Sequence, residues 1–106
     1  MAVIYRVYIE PDVHATRQEL PGHVRQQVKR IIDNFVYEPR PSGSRLLTVE
    51  EITSPVTDLE FRRVRIEHWR VVYAVSDEER LVWVLGVFRR PPYDYDNLKE
   101  LSQRIN

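Results

Sequence analysis

Apolar positions along this chain switch between two rhythms. Residues 2–10, AVIYRVYIE, alternate: Val3, Tyr5, Val7 and Ile9 share one face, and their β-branched and aromatic types favour a strand. Glu10-Pro11-Asp12 stops it. The spacing then predicts a short helix over 12–20 with Asp12 as its cap. Pro21 and Gly22 interrupt the pattern and open a second helix, since proline suits a first helical turn. Val24, Val28, Ile31 and Phe35 follow at i, i+4, i+7 and i+11, an amphipathic stripe backed by Arg25, Gln26, Lys29, Arg30 and Asp33. The two helices are expected to form a hairpin that lays this stripe on a sheet.

The rhythm returns to two in the second half. Residues 38–44, EPRPSGS, are a loop by composition. A short strand is expected over 45–49 and an acidic loop over 50–58. Strands are predicted at 60–66 and 69–75, joined tightly at Glu67-His68, and at 80–88 after the turn 76–79. RLVWVLGVF (80–88) is apolar on both faces, which marks a central strand covered on both sides. Asp96 or Asn97 caps a final helix with Leu98, Leu101 and Ile105 inward; Glu100 stands three after Asn97, as in a capping box. The order is β-α-α-β-β-β-β-α, an α+β layer structure in one domain spanning 1–106.

Composition narrows the chemistry. No cysteine is present, which removes disulfides, thiolate metal sites and cysteine nucleophiles. No apolar run reaches membrane-spanning length, so no membrane partner and a cytoplasmic location are the expectation. His14, His23 and His68 are scattered without metal-ligand spacing, and the aspartates sit in turn or cap contexts. No metal and no cofactor is expected. Sixteen basic residues balance sixteen acidic ones, where nucleic-acid binders usually carry a basic excess. Segregation is local: 61–73, FRRVRIEHWRVVY, holds four arginines and one glutamate, whereas 50–60, EEITSPVTDLE, holds four acids and no base.

Arginine on strands is therefore the chemistry to weigh. In EFRRVRI, Arg62 shares a face with Val64 and Ile66, while Arg63 and Arg65 take the other. Arg70 lies on the next strand, and Arg89 and Arg90 end the one after. Strands about 4.8 Å apart bring arginines of equal height to one anion. The competing reading is a solvated face of cross-strand pairs with Glu60, Glu67 and Glu79.

Four pieces in order, the N-terminal strand with PGHVRQQVKRIIDNF, then EPRPSGSRLL, then FRRVRI–WRVVYAV, then the apolar strand ending in Arg-Arg, resemble the RelE/ParE toxin superfamily of bacterial toxin–antitoxin pairs. The resemblance covers roughly residues 3–95. It implies two N-terminal helices packed on a curved, mainly antiparallel sheet of four to five strands with a short C-terminal helix. RelE-like members enter the ribosome and cleave mRNA there; ParE-like members poison DNA gyrase; both are neutralised by a cognate antitoxin. The resemblance implies a metal-independent endoribonuclease with Arg62 and Arg90 stabilising phosphate. It gives Tyr93 or Tyr95 proton transfer or stacking and Arg45 RNA binding, and the neighbouring strand arginines Arg63, Arg65 and Arg89 are expected to bind RNA beside them. Ribosome and mRNA are then partners beside the antitoxin. Leu47 stands where cleaving members often carry a second basic residue, and the net charge is zero. These departures keep two alternatives: a gyrase inhibitor, or a non-toxic antitoxin-binding member of the same fold.

Overall fold

The computed structural model describes residues 4–47 and 59–89. Seven elements follow in the expected order: β1 (Arg6–Ile9), α1 (Pro11–Glu19), α2 (Gly22–Asn34), β2 (Ser44–Leu46), β3 (Glu60–Ile66), β4 (Trp69–Ser76) and β5 (Leu81–Arg89). The strands form one sheet in the order β1-β5-β4-β3-β2. From β2 to β5 every pairing is antiparallel, whereas β1 runs parallel to β5. Parallel neighbours need a crossover, and the helical excursion between β1 and β2 begins that return. The final helix expected after Asn97 and the acidic loop 50–58 lie outside the described residues. Among the described residues no helix is long and apolar enough to cross a membrane.

Helix boundaries follow the prolines. Pro11 occupies the first turn of α1, with Glu10, not Asp12, as the residue before it. The Glu10 side chain does not cap the helix. It accepts a hydrogen bond of 2.9 Å from Trp83 Nε1 on β5, tying the end of β1 to the sheet. Leu20 is extended, as a residue before proline must be, and α2 starts after Pro21. The buried stripe of α2 is Val24, Val28 and Ile32, continued by Phe35, so Ile32 takes the place expected for Ile31. Each i+4 step turns the helix about 40° past a full turn, so the buried face drifts from Val24 through Val28 to Ile32, and Ile31 borders it, partly buried.

The sheet is covered on the helix side by a core of Val13, the α2 stripe, Val64, Val71, Tyr73, Val75, Val82, Val84 and Val87. Phe35 and Tyr73 meet with ring centroids 4.3 Å apart. Residues alternating with these form a second cluster on the reverse face, Phe61, Val72, Ala74, Trp83 and Leu85. Strands β4 and β5 are thus buried on both faces, as the continuous apolar run of β5 predicts.

One irregularity interrupts the alternation of β5. Val72 pairs with Gly86 and Tyr73 with Val84, so Leu85 is an extra residue, a bulge in the strand. Beyond it the faces exchange: Val87 joins the helix-side core and Phe88 packs against the reverse cluster.

Candidate functional site

Register sorts the arginines. Arg45 on β2 stands directly opposite Arg63 on β3, and Arg65 on β3 directly opposite Arg70 on β4. Directly opposed residues lie on the same face with Cβ atoms about 5 Å apart, and residues two apart on a strand about 6.6 Å. Arg63 also pairs with Val72, a member of the reverse cluster. All four therefore share the face turned away from the helices. Arg45 and Arg65 are exposed, Arg63 is half-buried, and Arg70 is buried at 7% exposure. Among the described residues of β2, β3 and β4 the only carboxylate is Glu60, and it faces the other way, opposite Val75 of the helix-side core.

Like charges directly opposite in a sheet destabilise it, by an amount comparable to the roughly 0.2–1 kcal/mol that good pairs contribute. Arg45, Arg63 and Arg65, brought onto one face by these two ladders, form a positive surface suited to an anion. An anion between Arg63 and Arg65 would sit within reach of both guanidinium forks, and Arg45 borders it. Arg45 already donates to the carbonyls of Ser42 (3.1 Å) and Ser44 (2.9 Å), which fixes its side chain along the edge strand.

Arg62 lies on the opposite face. It pairs with Tyr73, donates from Nε to Ser44 Oγ at 2.6 Å, and forms an ion pair with Glu60. Its side chain is 16% exposed. Sequence alternation places it there correctly; what alternation does not show is the partner set. Glu60 is shared with Arg40, which reaches both of its oxygens at 3.3 Å and also clamps Asp77 at 3.0 and 3.2 Å. Tyr5 donates to the same Asp77 at 2.6 Å. This clasp joins the loop after α2, β3, the β4–β5 turn and the residue before β1. Its two arginines balance its two carboxylates. Arg40 chiefly holds the Asp77 and Glu60 carboxyls below their ordinary range, helped by Tyr5 at Asp77 and by Arg62 at Glu60. The hydrogen bond to Asp77 pushes the Tyr5 phenol up. Burial pushes the Tyr73 phenol up as well, against the pull of nearby Ser44 and Arg62.

Arg89 is exposed and pairs with Trp69, on the helix-side face beyond the bulge, and so stands apart from Arg45, Arg63 and Arg65. Arg90, Tyr93 and Tyr95 lie outside the described residues. The structure thus brings together Arg45, Arg63 and Arg65 and separates them from Arg62 and Arg89. Sequence reasoning set Arg70 beside them without giving it a site role; its register opposite Arg65 depends on the two-residue turn at Glu67-His68. The Arg40 clasp left no sequence signal, because Arg40, Glu60 and Asp77 come from three unrelated segments. Leu47 bonds to the Phe61 carbonyl and packs on the reverse cluster, an apolar border to the arginines. No group of three or more His, Cys, Asp or Glu among the described residues is arranged to hold a metal.

No protein-family model matches the chain, and no curated protein sequence matches it closely. Solved structures do. A chain of the archaeal RelE–RelB complex from Pyrococcus horikoshii OT3 is 26% identical, with 85% of this chain and 99% of that one covered and a TM-score of 0.70. The toxin–antitoxin complex RelBE2 from Mycobacterium tuberculosis matches at 21% identity over 83% and 100% of the two chains, TM-score 0.62. A mutant of the E. coli toxin RelE in the free state matches at 23% identity over the whole of both, TM-score 0.59. With two helices on a five-stranded mixed sheet and these neighbours, the chain has the RelE-like toxin fold.

Proposed function

We propose that this chain is the toxin of a toxin–antitoxin pair and acts as a ribosome-dependent mRNA endoribonuclease. The carrying observation is the pair of like-charged ladders, Arg45 opposite Arg63 and Arg65 opposite Arg70, on one face of the sheet. RNA supplies phosphates at a spacing that several arginines can meet together, and arginine forks match phosphate geometry. Cleavage by attack of a 2′-hydroxyl on the adjacent phosphorus gathers negative charge on the pentavalent phosphate. Arginines fixed in advance around that charge lower the barrier without a metal.

The geometry favours a division of roles. Arg63 and Arg65 take the phosphate stabilisation that the resemblance assigned to Arg62, because the Arg62 guanidinium is engaged with Glu60 and Ser44. Arg45 borders the site as a binding residue. Arg90 follows β5 in sequence and adds charge to the same chemistry, with Tyr93 or Tyr95 moving the proton. The clasp of Arg40, Glu60 and Asp77 holds the scaffold. The solved neighbours include complexes of RelE with RelB and of RelBE2, which supports an antitoxin partner for this chain.

Primer extension on a message translated in a purified system tests the reading. Cuts are expected inside codons of the translated message, absent when ribosomes are left out, and lost when Arg63 and Arg65 are both changed to Ala. An intact message with growth arrest retained in cells would remove the nuclease reading. Loss of gyrase supercoiling under the same conditions would replace it.

A further inference from the structure

The bulge at Leu85 decides which side chains at the end of β5 accompany the arginines. Trp83 and Leu85 belong to the reverse face. Unbroken alternation would add Val87 and Arg89 to that face. Instead Val87 enters the helix-side core, and Phe88, directly opposite Arg70, takes the arginine side. Bulges re-aim side chains in this way beside functional sites.

Phe88 is half-buried, packed on the reverse cluster with the rest of its surface open. Its ring folds back along the strand over Gly86. A Cβ at position 86 would stand 2.5 Å from the ring Cζ, 2.6 Å from Cε2 and 3.3 Å from Cε1. Only glycine lets the ring lie there. An aromatic ring laid on the sheet, one strand from Arg70 and two from Arg65, has the position of a stacking surface beside a phosphate site. The bulge, which sets the register opposite Arg70, and the glycine under the ring converge on this placement.

We propose that Phe88 is the platform on which a nucleobase of single-stranded RNA stacks, next to the phosphate held by Arg63 and Arg65. The proposal rests on RNA being the ligand of the arginine face. Stacking on a ring tolerates any base, so the residue contributes affinity and base orientation instead of sequence choice.

The test is anisotropy of a labelled short single-stranded RNA with the full chain at low salt, set beside the same RNA carrying one abasic nucleotide. Phe88→Leu keeps an apolar side chain and removes the ring. It is expected to weaken the intact RNA about tenfold, within the range for loss of one base–aromatic stack, and to bind the abasic RNA as the unaltered chain does. Phe88→Trp is expected to retain affinity and to show extra quenching of tryptophan emission on RNA addition. Unchanged affinity in Phe88→Leu, with Arg65→Ala weakened, overturns the platform and leaves the arginine site standing. Unchanged affinity in both variants overturns the arginine site as well. If Phe88→Leu does not fold, absence of added quenching in Phe88→Trp overturns the platform alone.

Discussion

Single residues on this chain carry local strain that the fold overrides. Arg80 holds φ at 50° and Glu67 at 53°, in the left-handed region that costs a side chain roughly 1–2 kcal/mol. Both sit in the tight turns that lead into β4 and β5, where the chain has no glycine to offer. Glu67 has a compensating contact, since its carboxylate meets His23 at 2.9 Å. Arg80 contributes its carbonyl to Arg6 at 2.8 Å, a bond that any residue there would make. Arg80→Gly is therefore expected to stabilise the protein by up to about 1 kcal/mol, the relief of strain less the greater chain entropy of glycine. Urea unfolding reads it as a higher midpoint at unchanged slope. A lower midpoint would mean that the Arg80 side chain does more for the turn than its backbone strain costs.

At the scale of elements, the sheet is closed to slippage by what joins its ends. Helix α2 presses Val24, Val28, Ile32 and Phe35 onto β3, β4 and β5, and the Arg40 clasp pins the loop after that helix to the β4–β5 turn. The clasp has a pH signature. Glu60 and Asp77 have native values below their ordinary 4.5 and 3.8. A depressed carboxyl stabilises the fold above its unfolded value, and that contribution is lost as pH falls through the native value. Replacing Arg40 by Met is expected to cost about 1 kcal/mol at pH 7, since the pairs are partly exposed. The gap to the unaltered chain should shrink steadily below about pH 4.5 as the carboxyls take protons. Denaturant unfolding at pH 7 and at about pH 3 checks both halves. An equal gap at the two pH values would assign the effect to lost packing of the Arg40 stem.

Much of this element scale was legible in the sequence. The order of seven elements follows from alternation, from the stripe of α2 and from the prolines at 11 and 21. The double-sided burial of β5 follows from its unbroken apolar run. The parallel pairing of β1 is different: nothing in AVIYRVYIE states its direction, which is set by the crossover and by the β5 edge left open for it. The β5 bulge was equally hidden. A period of two, applied without interruption, misplaces the residues beyond Leu85. The site suffers from this more than the fold does, because the fold tolerates a change of face among apolar residues, whereas a site depends on which arginines meet. Alternation separated Arg62 from Arg63 and Arg65 correctly; only register could pair Arg45 with Arg63.

For the whole molecule, zero net charge hides an arrangement by face. The helix-side polar cluster is charge-balanced, and among the described residues of β2–β4 the arginines Arg45, Arg63 and Arg65 share the reverse face while the one carboxylate, Glu60, faces the helices. A neutral protein can therefore present a local positive surface, at the expense of the long-range attraction that a basic protein would have. Association with an RNA-rich target is then expected to depend on short-range fit more than on electrostatic steering. The central claim is that the working face is the one carrying Arg63 and Arg65. Primer extension across a translated message, with Arg62→Gln and Arg63→Gln chains side by side below their unfolding temperatures, tests it most directly. Cuts are predicted to persist with Arg62→Gln and to fall at least about tenfold with Arg63→Gln, the loss of one charge-stabilising donor. Cuts that vanish with Arg62→Gln and survive Arg63→Gln would contradict it.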